Sequence, residues 1–349
     1  MIHANKLSAF LMLVISVFLL GACGFGDMNE NAQQIDPPQV DYVDQDDSLT
    51  GTNDSVDENI EMTWRELYLF DKNGYVVPQT LQVPKSLEVA KQSLEYLVKD
   101  GPVTNMLPNG FEAVLPAGTE INGINVVDGT ATVDFSAEFT NYSPEQEMKI
   151  LQAITWTLTQ FETIENVKLQ INGENQEVMP VNGTPINGAM SRADGINFEY
   201  GNGVDIVNSK SITLYFLGQA NDEYYYVPVT RRVDLNKNDI VATVEELISG
   251  PMYYSPLFTD LKHDVTLLSN PIYENGTLTL NFNESVLGDN EGTAISEYVL
   301  QSLVLSLTEL KGVEQVAVMV NGNTEIMMAT GEMLAEPVSR PINVNKVKY

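Results

Sequence analysis

The apolar positions at the start of the predicted globular region indicate strands rather than helices. Leu67–Phe70 alternates inward and outward like a strand, and Asp71–Gly74 reads as a turn with glycine where a positive φ is expected. Tyr75–Val83 is extended, and Pro78 restricts it to a sheet edge or an irregular stretch because proline donates no ladder hydrogen bond. The pattern therefore predicts a strand, a tight turn and a second extended segment.

Two later segments repeat their apolar residues with the period of an amphipathic helix. The first is Ser86–Val98, which should end at Gly101-Pro102. The second begins at Ser143, with proline at the first helical position and Gln146 completing a capping box. For the second helix, packing in a core is favoured over a partner-binding groove. The predicted buried faces are Leu87, Ala90, Leu94 and Leu97 in the first helix and Leu151, Ile154, Leu158 and Phe161 in the second.

A hairpin and a final strand complete this set of elements. Asn125–Val127 and Thr130–Phe135 flank Asp128-Gly129, which is a strong hairpin signal, and the strand Val167–Ile171 turns at Asn172-Gly173. Helices separated by hairpins predict an α+β domain in which two helices pack on one face of a small, mostly antiparallel sheet. The edge strands of such a sheet are expected to be open.

The same elements recur once, which indicates a duplication. All the spacings lie between 147 and 150 residues, and five matches keep the same order. We infer two tandem homologous domains, copy one at 63–200 and copy two at 201–349. The matches are Leu67–Phe70 with Leu214–Leu217, Val77–Thr80 with Val227–Thr230, Leu97–Pro102 with Leu247–Pro251, Val133–Ser136 with Leu280–Asn283, and Val167–Gly173 with Val316–Gly322; the second helical stripe recurs as Leu300, Leu303, Leu307 and Leu310.

The N-terminus reads as an export signal over residues 1–22. Ala9–Leu20 is an apolar run too short to span a bilayer as a helix, which needs about 20 residues. It ends in Leu20-Gly21-Ala22-Cys23, which resembles a bacterial lipobox. The resemblance implies that Cys23 carries diacylglycerol and holds the mature chain at the outer face of the cytoplasmic membrane. The alternative is an ordinary signal peptide with an incidental cysteine.

Residues 24–62 follow the lipidated Cys23 as a separate acidic segment. They contain 11 Asp and Glu and no Lys or Arg. Few large apolar residues are present to offset the entropy of ordering, so this linker is expected to be disordered. A calcium loop at Asp44, Asp46 and Asp47 is the sharper alternative, but the glycine required at loop position six is missing.

The overall charge narrows the classes of partner. The chain has 48 acidic and 18 basic residues and a formal net charge of −30, which counts against nucleic acid and against adsorption to anionic lipid through a basic face. With one cysteine and two histidines, neither a disulfide nor a thiolate or histidine metal site is expected. We therefore expect no cofactor, no metal and no small-molecule substrate.

The inventory of reactive groups also disfavours most enzymes. His263 is the one histidine after the signal segment, copy one has no equivalent, and an exposed loop histidine is the favoured interpretation. No nucleophile elbow of the G-x-S-x-G type is present. The enzymatic alternative is a glycosidase-type pair of carboxyl groups, for which Asp134 and Glu138 are the first candidates. Asp134 points outward between Val133 and Phe135 and is expected to be solvated.

Interface residues are the candidates for binding, and all lie in copy two. Tyrosine is favoured in protein interfaces, although core packing of these tyrosines is an alternative. The adjacent arginines stand out on so acidic a chain, although a local ion pair would also explain them. Open sheet edges offer a third route, by strand addition. The candidates are Tyr224, Tyr225, Tyr226, Arg231, Arg232, Tyr253 and Tyr254.

Two tandem copies of this pattern behind a lipobox resemble the GerMN (Germane) domain family, over roughly residues 63–340. The resemblance implies a membrane-tethered lipoprotein of endospore-forming bacteria that is needed for sporulation and germination. It also implies a fold similar to ring-building-motif domains, which are small modules that assemble protein complexes between two membranes. The expected partners are envelope or sporulation-complex proteins between mother cell and forespore. Hydrolysis of peptidoglycan, including spore cortex, is the alternative function. Copy two departs from copy one at Asn281 and Asn283, which replace Asp134 and Ser136.

Overall fold

A computed structural model describes residues 61–186, 188–200, 207–288 and 293–347 of the protein. The predicted signal segment 1–22, Cys23 and the acidic linker as far as residue 60 lie outside the described residues. The linker was expected to end at residue 62, but Met62 is already the first residue of a strand. The predicted domain boundary at 200/201 borders residues 201–206, which also lie outside the described part, so that boundary stays a prediction.

Each copy begins with a long antiparallel hairpin. β1 (Met62–Asp71) pairs with β2 (Val76–Pro84), and β8 (Ser209–Ala220) pairs with β9 (Glu223–Asp234). In copy one, the short β3 (Phe111–Glu112) lies on the other side of β1, so β2 is an edge strand as Pro78 predicts. The predicted turn after β1 is confirmed, because Gly74 has a φ of +75°.

The α+β class is confirmed, and the strands of each copy fall into more than one sheet. The second sheet of each copy contains an antiparallel hairpin and one parallel pair, β5 with β6 and β11 with β13, joined through a helix. The predicted hairpin turn is confirmed by positive φ values of 48° at Asp128 and 74° at Gly129, and the equivalent turn of copy two has 48° at Asn275 and 81° at Gly276. A small third sheet in copy two has the order β12-β14-β15. The strands are β4 (Ile121–Val127), β5 (Thr130–Phe135), β6 (Asn166–Ile171), β7 (Glu174–Asn175), β10 (Ile272–Glu274), β11 (Thr277–Phe282), β12 (Ala294–Ile295), β13 (Gln315–Val320), β14 (Ile326–Met328), β15 (Met333–Leu334) and β16 (Val338–Ser339).

Two α-helices per copy appear in the described part of the chain. They are α1 (Val89–Glu95), α2 (Glu147–Leu158), α3 (Asp239–Ser249) and α4 (Glu297–Leu307). The predicted capping box of Ser143 with Gln146 is present, and its first turn is a 3-10 helix over Pro144–Gln146. α1 begins later than predicted. Leu87 therefore precedes the helix and is 72% exposed, so its assignment to the buried face is wrong.

The helices pack against the hairpins, and one hydrophobic core runs through both copies. The two predicted stripes on α2 and α4 are buried except for Phe161 and Leu310, which are partly buried against the core. Trp156 of α2 is fully buried and lies 5.6 Å from the ring of Tyr68 on β1. These stripes therefore serve the core and not an exposed groove.

Candidate interaction surfaces

Two extended segments cross from one copy to the other and cover strand edges. The first arm, residues 196–199, lies at the end of copy one and pairs with β9, where the amide of Thr230 donates to the carbonyl of Ile196 at 2.8 Å. The second arm, residues 344–347, lies near the end of copy two and pairs with β2, where the amide of Val347 donates to the carbonyl of Thr80 at 3.1 Å. The outer edges of β2 and β9 are thus occupied. The expectation of open edges is wrong for these two strands, because each copy supplies the covering segment of the other.

One asparagine in each arm holds that arm against the strand of the other copy. The Nδ2 group of Asn197 donates to the carbonyls of Val76 at 2.7 Å and Pro228 at 2.8 Å, and its Oδ1 accepts from the amide of Val76 at 2.9 Å. Asn345 does the same on the other side. Its Nδ2 donates to the carbonyls of Pro78 and Tyr226 at 2.7 and 2.8 Å, and its Oδ1 accepts from the amide of Tyr226 at 2.8 Å. Each asparagine therefore ties both copies together.

A charged cluster adds a further contact between the two copies. The guanidinium groups of Arg192 and Arg340 lie 3.1 and 2.9 Å from Oε1 of Glu309, and the hydroxyl of Tyr215 donates to the same oxygen at 2.8 Å. Burial alone would raise the pKa of Glu309, but the two arginines offset burial and the pKa lies below the usual glutamate value. Glu309 is therefore ionised and paired at neutral pH.

Two of the predicted interface residues are inside the protein. Arg231 is 2% exposed; its guanidinium lies 2.6 Å from Glu199 and 3.1 Å from Glu246 and also donates to the carbonyl of Gly250. Tyr225 is buried, and its hydroxyl donates to Oδ2 of Asp71 in copy one at 2.8 Å. Both residues serve internal contacts, so their assignment to an external interface is wrong. Arg231 forms the local ion pair that was the alternative.

The remaining predicted interface residues are partly or fully exposed. Arg232 is half-buried and donates to Ser209 Oγ at 2.7 Å. Tyr253 is fully exposed, and the hydroxyl of Tyr254 lies 3.4 Å from the carbonyl of Tyr200. Tyr224 and Tyr226 point to the face of β9 opposite Tyr225, as strand alternation requires. Whether these residues bind a partner stays a prediction.

The candidate pair of carboxyl groups has structural roles. Oδ1 of Asp134 accepts from the amide of Gly173 at 2.8 Å, and in copy two Oδ1 of Asn281 accepts from the amide of Gly322 at 2.9 Å. The carboxylate and the carboxamide therefore do the same task. The pKa of Glu138 is lowered through its hydrogen bond with Ser136, whereas a glycosidase acid needs a raised pKa.

The other candidate reactive groups are exposed or engaged. His263 is exposed, as predicted, and the neighbouring carboxylate of Asp264 accepts from Ser285 Oγ at 2.8 Å. In the described ranges, His, Cys, Asp and Glu side chains form no group of three or more suited to a metal. None of the helices described is long and apolar enough to cross a membrane.

A cleft of about 530 Å³ lies in copy one between α1 and residues 118–121. Its lining includes Lys91 and Lys99 together with Glu95, Asp100 and Glu120. The ammonium of Lys91 is 4.0 Å from the carboxylate of Glu95. Because charges of both signs line it, the cleft does not select a ligand of one sign.

Comparison with known proteins places these features in a family. A family model described as "Germane: Sporulation and spore germination" matches residues 66–177 and 213–325. The chain is 48% identical over 347 residues to a protein of Bacillus subtilis (strain 168) named "Spore germination protein GerM", with 95% of each chain covered. It is also similar to the solved tandem GerMN domains of the sporulation protein GerM from Bacillus subtilis, with a TM-score of 0.78 and 51% identity over 82% of this chain and 100% of that one. The first GerMN domain of that protein, solved separately, is 60% identical and covers 37% of this chain and 98% of its own length, with a TM-score of 0.37.

Proposed function

The chain belongs to the Germane family of sporulation and spore germination proteins, and on that premise we propose that it is a non-enzymatic lipoprotein whose two domains mediate protein assembly in the envelope during sporulation. It acts at the outer face of the cytoplasmic membrane, between mother cell and forespore. Its partners are proteins of an envelope or sporulation complex. Through that assembly, the protein is required for sporulation and spore germination.

The observation that carries the proposal is the equivalence of Asp134 and Asn281. Both side chains accept one backbone amide at the end of the same strand pair, at 2.8 and 2.9 Å. An asparagine cannot act as a general acid or base in this role, so the duplicated position has a structural task in both copies. The first candidate carboxyl group therefore gives no support to hydrolysis.

The surface supports assembly instead. Copy two exposes Tyr224, Tyr253 and Tyr254, and tyrosine is enriched in protein interfaces. The crossed arms join both copies, so partners meet one joint surface and not two separate domains. The linker that ends before Met62 gives this surface a reach of roughly 35 Å from the lipid.

Anchoring is tested by Cys23→Ala. This variant should leave the membrane fraction, because it cannot carry the diacylglycerol that is the proposed anchor. Firm membrane binding needs more than one acyl chain. The measurement is the distribution between membrane and soluble fractions, with the exposed His263→Ala as the matched control. Continued membrane attachment of Cys23→Ala would contradict the lipid anchor.

Assembly is tested by photo-crosslinking in sporulating cells, with the photoreactive residue in place of Tyr253. The expected result is discrete adducts with other envelope proteins that appear during sporulation. Absence of protein adducts from Tyr253, Tyr254 and Tyr224 in turn would contradict the proposal.

The enzymatic alternative has its own test. Purified residues 24–349 should release no soluble fragments from peptidoglycan. Asp134→Asn keeps the acceptor for Gly173, as Asn281 does in copy two, so it removes a carboxyl group without removing the structural bond. Release by the wild type that disappears in this variant would replace assembly with hydrolysis.

A further inference from the structure

Copy two carries a half-exposed aromatic cluster that consists of Tyr224, Tyr226, Phe258 and Tyr298. The ring centroids of Tyr224 lie 5.1 Å from Phe258 and 5.4 Å from Tyr298, both edge to face. Tyr226 lies 6.5 Å from Tyr298. Tyr224 is 44% exposed and Tyr298 is 38% exposed. The cluster is thus partly open to solvent.

Carboxylates border this cluster. Asp260 is held at the beginning of α4, because Ser296 Oγ donates to its Oδ2 at 2.5 Å while accepting from the amide of Tyr298 at 3.2 Å. Glu297 follows in the first turn of the same helix. Burial, and then the charges of Glu297 and Asp260, raise the pKa of both Tyr226 and Tyr298. The cluster therefore lies in a negative field.

Copy one shows what group occupies the equivalent place. Gly74 and Val76 stand 150 residues before Tyr224 and Tyr226, and Lys149 stands 149 residues before Tyr298. The ammonium of Lys149 donates to the carbonyl of Gly74 at 2.5 Å and so bridges the first turn of α2 and the beginning of the hairpin strand. In copy two, Tyr298 replaces this lysine, and α4 contains no lysine or arginine.

We propose that the aromatic cluster of copy two binds a lysine or arginine side chain of a partner protein, in the place that Lys149 fills internally in copy one. This inference rests on the proposed assembly function and specifies the chemistry of the partner: a basic, exposed segment. Cations bind over tyrosine faces, and two neighbouring carboxylates add charge attraction. The net charge of −30 steers such a segment towards the surface and opposes a second copy of this chain as the occupant.

The probe for this site is a capped tetralysine peptide, titrated into residues 24–349 at physiological salt. Binding is followed by the ring resonances of the tyrosines in NMR spectra. Tyr224→Leu/Tyr298→Leu removes two rings and should weaken the peptide about tenfold, since each exposed cation–ring contact contributes modestly. Tyr200→Leu/Tyr273→Leu is the matched control, because it removes two exposed rings outside the cluster and should leave the affinity unchanged.

A conservative variant separates binding from folding. Tyr224→Phe/Tyr298→Phe keeps both rings and should bind tetralysine within about twofold of the wild type, because the ring face is retained. Unchanged affinity in the leucine variant would overturn the proposal, and so would an equal loss in the phenylalanine variant or in the control. A dimer of the wild type in sedimentation that the leucine variant does not form would identify a second copy as the occupant and would also overturn it.

The cellular experiment distinguishes this site from the assembly function. With the photoreactive group at Tyr253, the leucine variant should lose most of the adducts that the wild type forms. Equal adducts in both proteins would reject the cluster as the docking site and leave assembly standing. No adducts in either protein would reject assembly itself.

Discussion

At the residue scale, Asn197 and Asn345 show how a small side chain can join two domains. Each makes three side-chain hydrogen bonds between 2.7 and 2.9 Å, and each has a left-handed backbone, with φ values of 45° and 50°. Asparagine tolerates that conformation better than other residues with a side chain. Asn197 donates to the carbonyl of Pro228 in copy two, and Asn345 donates to the carbonyl of Pro78 in copy one, so both bonds connect the two copies.

Asn345→Ala should lower the free energy of unfolding by about 2–3 kcal/mol, because it leaves partly buried backbone groups without partners and adds a left-handed alanine. Asn197→Ala should have a similar effect. Urea denaturation measures both. Asn321→Ala is the control, since Asn321 has a φ of 50° but is exposed, and it should cost about 1 kcal/mol. Equal losses in all three variants would show that the bridging bonds contribute nothing.

Glu309 gives a prediction that depends on pH. Its pKa is lowered in the folded protein, so its contribution is full above the unfolded pKa of about 4.3 and is lost as the pH falls through the folded value. Glu309→Gln should destabilise the protein by about 1–3 kcal/mol at pH 7, since two arginines lose their counter-ion in a partly exposed site. The difference from the wild type should shrink below pH 4.

Thermal unfolding at pH 7 and pH 3.5 checks this result. Glutamine fits the space, because Gln160 occupies the corresponding position in copy one. The exposed Glu332→Gln is the matched control and should change stability little at either pH. A loss for Glu309→Gln that is equally large at both values would contradict the role of its charge.

At the element scale, the second arm protects one strand edge in each copy. The amide of Thr80 on β2 donates to the carbonyl of Asn345, and the amide of Tyr226 on β9 donates to its side chain. The amides of Val76 and Thr230 are held by the first arm instead. The four amides therefore report on the two arms separately.

A chain that ends at Ile342 lacks the second arm. Hydrogen exchange at Thr80 and Tyr226 should accelerate strongly, because these amides lose their acceptors, while Val76 and Thr230 should stay protected. NMR of exchanging amides measures all four in one sample. Equal acceleration of all four would contradict the division of the two edges between the two arms.

Elements built from local chemistry were predictable, and long-range pairings were not. The turns at Asp128-Gly129 and Asn172-Gly173 follow from residues that accept positive φ. The division into two sheets and the crossing of the arms depend on contacts far apart in the sequence. A signal for the arms exists, since Ile196-Asn197 recurs as Val344-Asn345 at a spacing of 148, within the range of the other repeats.

The candidate interface was predicted only in part for a related reason. Three consecutive tyrosines in a strand cannot share a face, so Tyr225 points away from Tyr224 and Tyr226 and into the junction with copy one. Composition marks tyrosines and arginines as interface residues but does not say whether the partner is another protein or the other copy. Phe258 and Tyr298 join the cluster through the fold alone.

At the scale of the whole molecule, charge opposes compactness. The chain has 48 acidic and only 18 basic residues, and the excess negative charges repel one another in the folded state. Raising NaCl from 20 to 300 mM shortens the screening length to below about 10 Å and should raise the melting temperature. Differential scanning calorimetry of residues 24–349 measures the melting temperature at both salt concentrations. A melting temperature that falls with salt would show that internal ion pairs such as Arg192–Glu309 outweigh the repulsion.

The reciprocal arms also bear on how many repeats such a chain can hold. Each of the two arms pairs with a strand edge of the other copy, so no arm and no paired edge is left over. The arrangement is closed in the same sense as a dimer with two-fold symmetry. A third tandem repeat would bring an arm and an edge with no complementary mate inside the molecule. That bare edge would be free for strand addition, so a third repeat would favour end-to-end association of the molecules.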